Sequence, residues 1–213
     1  MSTQFERNVF INCPFDDEYR LLLKPLLFTL CYCKLTPRIA SERLDSSEIR
    51  LEKILAIIQE SKYSIHDLSR IKSSKTGEYY RLNMPLEIGL DLGCKTFHSE
   101  EKYREKMSLI LEGERYSLHK GLSDLSGADV KCHDNDAEKM VESVRSWLVE
   151  VGRTKIPGPN KIWDDYNIFN ADLYTAFSER GFKKSQIDTL PIPEFLDFLK
   201  KWLSKRLKEK KEE

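Results

Sequence analysis

"DSSEIRLEKILAIIQESKYSIHDLS" (45–69) changes its periodicity partway along. Over 45–62, Ile49, Ile54, Leu55, Ile57 and Ile58 recur with the spacing that lines one side of a helix. Ser46 or Ser47 stands where a helix N-cap belongs. From Tyr63 the run becomes short and closes on polar residues, which predicts a strand over 63–69. A helix feeding straight into a strand is the repeating unit of α/β folds, and the same alternation continues on both sides.

Upstream, "NVFINC" (8–13) predicts a buried first strand, closed by Pro14, which cannot continue a central strand. In the "PFDDEY" loop, Asp16 and Asp17 are placed to cap the next helix. Leu22, Leu23, Leu26, Leu27, Leu30 and Cys31 supply that helix, and Pro25 inside the pattern predicts a kink or a start there. "TPRIAS" (36–41) predicts a short second strand. Downstream, "NMPLEIGLDLG" (83–93) opens a helix after Asn83 and Pro85. "KMSLILEG" (106–113) predicts a fourth strand, and 122–134 holds a short fifth. "DAEKMVESVRSWLVEV" (136–151) is amphipathic, with Met140, Val141, Val144, Trp147 and Leu148 on one face.

This order predicts an α/β domain over 1–151: an open parallel sheet of about five strands with helices on both faces. "GRTKIPGPNK" (152–161), with two prolines and two glycines, reads as a linker. Residues 162–213 form a helical, aromatic-rich extension too short for a large core of its own. It is expected to pack on the main domain or on another subunit.

The 213 residues carry 35 Lys+Arg and 35 Asp+Glu, so no overall basic field favours nucleic acid or an anionic membrane surface. No apolar window reaches the roughly 18 residues of a membrane span, and the N-terminus has no leader-length apolar run. A soluble cytoplasmic protein is the expectation. Five cysteines, an odd number, suit a reducing compartment. Cys31-Tyr32-Cys33 lacks the gap of a zinc knuckle, so neither a metal nor another resident cofactor is expected.

In open α/β sheets, ligands sit at the carboxyl ends of the strands. "CPFDDEY", "HDLSR" and "NMPLEIG" converge there. Within the last, Glu87 has two readings. It can be a solvated residue near a helix N-terminus, where its charge suits the dipole. Alternatively, flanked by Leu86, Ile88 and Leu90, it is a desolvated carboxylate with a raised pKa. A carboxylate of that kind can act as nucleophile or oppose the charge of an oxocarbenium-like transition state. Gly89 costs the helix about 1 kcal/mol and asks for a packing or close-approach reason.

His66 and Asp67 are adjacent on a strand and point to opposite faces, so they cannot build a hydrolase relay with Ser69. Asp67 can bind a ribose hydroxyl or cap a turn. The P-loop and dinucleotide glycine patterns are absent. Backbone amides of "CPFDD" are one phosphate-holding candidate. Arg38, Arg43 and Arg50 face either phosphate or solvent. The polar stretch "RIKSSKTGEYYR" (70–81) has the length of a lid.

"NVFINCPFDDEY", "ILAIIQESKYSIHDLSR" and "NMPLEIGLDLGCK" resemble, in this order, the motifs of two related groups. These are the nucleoside 2-deoxyribosyltransferase-like proteins and the TIR (Toll/interleukin receptor) domains. The resemblance spans about residues 8–150 and implies a flavodoxin-like, TIR-like fold. It implies Glu87 as the catalytic carboxylate, Pro14 and Phe15 on the base side, and Asp67 on the sugar. Asp16, Ser69 and Asn83 fall in the same substrate-binding segments. The implied activity is hydrolysis of the N-glycosidic bond of NAD or a related nucleotide, as an effector of bacterial antiphage defence. NAD or the nucleotide is then substrate, not cofactor, and the helical extension joins copies of the chain or a partner subunit. The alternatives are a deoxyribosyltransferase-like enzyme, or a non-catalytic nucleotide-sensing or scaffold module.

Overall fold

The computed structural model describes the chain except residues 1–3, 43–46, 72–80, 126 and 213, with side chains followed as far as Arg206. Five strands form one sheet: β1 (Asn8–Asn12), β2 (Thr36–Arg38), β3 (Tyr63–Asp67), β4 (Met107–Glu112) and β5 (Val130–Cys132). Their order is β2-β1-β3-β4-β5, and every pairing is parallel. The order turns back on itself around β1 and β3, which places a crevice at the carboxyl ends of those two strands. Both strands are buried along their whole length, as expected of central strands covered on two faces.

Among the described residues seven α-helices accompany the sheet: α1 (Arg20–Tyr32), α2 (Arg50–Gln59), α3 (Asn83–Phe97), α4 (Ala137–Glu150), α5 (Pro159–Glu179), α6 (Lys184–Asp188) and α7 (Ile192–Glu212). α2 and α3 cover one face: Ile54, Ile57 and Ile58 pack on Phe10, while Met84 and Ile88 pack with Leu68 and Ile110. α1 and α4 cover the other. Between β4 and β5 the crossover is made of two short 3-10 turns in place of a helix.

α1 runs through Pro25 rather than starting at it. Every residue from Leu22 to Leu30 is buried. A helix apolar on all sides needs cover on all sides, and α5 and α7 provide it. Phe28 meets Tyr166, Phe169 and Trp202 at ring-centroid distances of 5.4, 5.4 and 6.1 Å. The extension therefore shares one core with the sheet, through Phe169, Phe177, Phe195 and Leu199. α5 begins at Pro159, a first-turn position that suits proline. Its C-cap is Arg180, and Gly181, the next residue, has the φ of 88° that suits a helix-terminating glycine.

α2 begins at Arg50 behind Ile49, later than the 45–62 pattern predicts. Ser46 lies outside the described residues, as do Arg43 and most of the 70–81 stretch. Gly89 also departs from expectation: a Cβ built there meets nothing within 4 Å. Its presence answers no close approach among the described residues. Gly89→Ala should therefore stabilise the protein by about 0.5–1 kcal/mol, through helix propensity alone. Chemical denaturation checks this, and a loss of stability would show an unseen packing constraint. No helix among the described residues is long and apolar enough to cross a membrane.

Candidate active site

Three buried carboxylates lie against β3 or on the helix beside it, and their surroundings separate them. Asp67, the last residue of β3, is fully buried. Its Oδ1 accepts the Ser69 N–H at 2.9 Å. Its Oδ2 accepts the Tyr19 hydroxyl at 2.5 Å and lies 3.0 Å from His133 Nε2. His133 Nδ1 accepts the Asn135 N–H at 3.1 Å, which leaves Nε2 as the donor to Asp67. Burial pushes the Asp67 pKa up, but His133, the Ser69 N–H and Tyr19 outweigh it and hold the group below its ordinary value.

Asp91, on α3, lies on the other side of the sheet. Its Oδ2 takes Ser64 Oγ at 2.5 Å, Ser108 Oγ at 3.0 Å and His66 Nε2 at 3.1 Å. Lys106 Nζ stands 3.1 Å from the second oxygen. Asn12 Nδ2 donates both to Met84 O at 2.9 Å and to His66 Nδ1 at 3.2 Å, which orients His66 with Nε2 toward Asp91. His66 and Asp67 thus serve separate networks on opposite faces, as the strand's alternation requires.

Glu87 is different. It lies on α3 one turn before Asp91 and is only 4% exposed. Asn83 Nδ2 donates to Oε1 at a long 3.4 Å, and Arg50 Nη2 stands 4.0 Å away. Among the described residues no closer donor reaches it. Buried carboxylates are ordinarily well supplied with donors, as Asp67 and Asp91 are. Burial raises the Glu87 pKa, opposed only in part by Asn83, Arg50 and His66. Helical spacing puts Met84, Glu87, Ile88 and Asp91 on the buried side. Leu86 is 55% exposed and does not enclose Glu87, contrary to what the apolar neighbours in sequence suggest.

The β1–α1 loop closes the other side. Pro14 is buried and Phe15 exposed. Arg50 lies over the Phe15 ring, 6.0 Å from its centroid. Asp16 accepts the Tyr19 N–H at 2.9 Å, pairs with Arg70 at 2.7 Å and also pairs with Arg81. Those cations and that N–H overcome the effect of burial and keep the Asp16 pKa low. Cys13, 2% exposed, sits close enough to Asp67, Glu87 and Asp16 for their charges to add to the burial that raises its pKa. The pairs of Asp16 with Arg70 and Arg81 tie the β1–α1 loop to the segment after β3 and the segment before α3. Asn83 is exposed at the start of α3, and Ser69 is half-buried. Arg38 lies elsewhere, paired with Glu42 at 2.6 Å and Glu60 at 2.8 Å.

A cavity of about 350 Å³ opens beside Phe15 and Arg50, walled also by Arg20, Leu23, Pro191, Ile192 and Pro193. This is within the size range of small-molecule sites. The segment joining α6 to α7 thus supplies part of the wall. Tyr19, His133 and the Pro191–Pro193 segment carry no motif in the sequence. No group of three or more candidate metal-ligating side chains lies together among the described residues.

Asp67→Ala is expected to cost about 3 kcal/mol, because the Tyr19 hydroxyl, the Ser69 N–H and His133 would each lose a buried acceptor. Urea denaturation measures it. A cost below about 0.5 kcal/mol would mean that these contacts do not hold the loops.

The molecule is thus an open α/β protein in which one buried carboxylate, Glu87, has few protein donors among the described residues. No family model matches the chain, and no curated protein or solved structure matches it either.

Proposed function

We propose that this protein hydrolyses the N-glycosidic bond of NAD or a related nucleotide, with Glu87 as the catalytic carboxylate. The observation that carries the reading is the contrast among the three carboxylates. Asp67 and Asp91 are each met by several close protein donors, whereas Glu87 sits in a desolvated place with one long hydrogen bond. That is a costly arrangement for structure alone. It suits a group that must meet positive charge on a substrate.

In the proposed reaction the C1′–N bond breaks and the base leaves with the electron pair. Positive charge spreads over C1′ and the ring oxygen, facing Glu87. Water then adds its oxygen to C1′, and one proton is released. Phe15 offers a ring face to the base. Arg50, which already lies between Phe15 and Glu87, can meet a phosphate. Asn83, exposed and beside Glu87, can take a sugar hydroxyl. Asp67 acts through Tyr19 and His133 as a positioning residue, since its oxygens are already engaged. The same engagement favours one alternative, a nucleotide-binding module without turnover. The role in antiphage defence rests on the resemblance of three short motifs to TIR-like effectors.

Incubating the full chain with NAD, nucleosides and nucleoside monophosphates, followed by chromatography, tests the reading. Release of free base from at least one of them is expected. Retention of intact substrate in every case, alongside measurable nucleotide binding, would replace the enzyme with the binding module.

A further inference from the structure

A second cavity, of about 640 Å³, lies at the other end of α1. α1 begins beside the carboxyl end of β1 and returns the chain to the start of β2, so its last turn is at the opposite end of the sheet from Glu87. Tyr32, Ile156, Trp202 and Leu203 give the cavity an apolar lining. Cys31 and Cys33 join them as neutral thiols, their pKa values raised by burial to about 12 and about 11.

The charges on its wall are unbalanced. Asp165 is the one acidic wall residue, and it is already answered by Lys161 at 2.7 Å, Arg206 at 3.2 Å and the Tyr32 hydroxyl at 2.5 Å. Lys34, Arg153 and Lys155 remain. Arg153 Nη2 donates to Cys33 O at 3.2 Å, but its Nε is buried without a hydrogen-bond partner among the described residues. Lys34 and Lys155 are exposed and enter no ion pair among the described residues. A lining of rings beside surplus cations selects for a planar apolar body carrying negative charge.

We propose that this cavity is a binding site for a small aromatic anion, separate from the Glu87 crevice. α1 and α7 each reach both cavities, α1 through Arg20 and Tyr32 and α7 through Ile192 and Trp202. A ligand held here therefore touches the same two helices that wall the cavity beside Phe15.

The test uses two dyes of like ring system, 8-anilinonaphthalene-1-sulfonate and its uncharged counterpart N-phenyl-1-naphthylamine. The full chain should bind the sulfonate saturably at one site. Lys34→Gln/Arg153→Gln/Lys155→Gln should weaken the sulfonate about tenfold and leave the neutral dye within about twofold. Trp202→Leu should weaken both. Phe15→Ala, in the other cavity, should change neither. Far-ultraviolet circular dichroism and thermal melts confirm that each variant is folded. Unchanged sulfonate affinity in the folded triple variant would overturn the proposal, and so would loss of the site in Phe15→Ala. Neither outcome bears on base release, which the Glu87 variants read separately.

Discussion

Asp91→Ala is expected to lower the stability of the protein by about 3–5 kcal/mol at neutral pH, as removal of one partner of a buried ion pair does. Lys106 is fully buried, and its other contacts are the carbonyls of Ile58 and Ser61. Without Asp91 its charge has no counter-ion within the network, and Ser64, Ser108 and His66 lose their common acceptor. Asp91→Ala/Lys106→Met should recover most of the loss, because it removes the stranded charge as well.

The pH dependence has a definite sign. Burial raises the Asp91 pKa, but His66, Lys106 and Ser64 overcome it and hold the group well below the usual carboxylate range. A depressed pKa stabilises the fold above the unfolded value, about 3.9, and that stabilisation is lost as pH falls toward the folded value. The difference between wild type and Asp91→Ala should therefore shrink below about pH 4. Urea unfolding at neutral and acid pH reads both effects. A difference under about 1 kcal/mol at pH 7 would contradict the account of the network. The consequence reaches the crevice, because Asp91 fixes the same face of α3 that carries Glu87.

Glu87→Gln should have the opposite profile: a large effect on turnover and none on folding. The isosteric amide keeps the volume and the Asn83 contact, and it removes a charge that burial disfavours. Its melting temperature should be at or above that of wild type. Base release should fall by about 10³-fold or more, the scale of losing a group that opposes transition-state charge. The wild-type rate should decline as pH drops through a pKa above the usual glutamate range, since the acting form is the carboxylate.

The alternation of patterns between 8 and 151 was enough to draw the sheet, because strands buried on both faces and one-sided helices leave different periods. The place of Glu87 was legible for the same reason: a segment following β3 and opening a helix falls at the carboxyl edge. What the pattern could not show was coordination. Asp67, Asp91 and Glu87 read alike as letters, and only donors brought in from β4, the N-cap of α1 and the segment before α4 tell them apart. Sequence neighbours misled at Leu86 and Gly89, since the helix turns the first to solvent and leaves open space at the second. The cover over α1 was implicit in its all-round apolarity. The choice of α5 and α7 to supply that cover, and of Pro191–Pro193 to wall the cavity, depends on packing across long sequence separations.

Whether Glu87 is the group that breaks the glycosidic bond can be read from one rate. The most direct measurement is the rate of free-base release by wild type and Glu87→Gln, side by side at equal folded concentration, on the substrate that wild type turns over. Release by wild type is expected, with a rate at least about 10³-fold lower for the variant. A folded Glu87→Gln protein that releases base at the wild-type rate would contradict it.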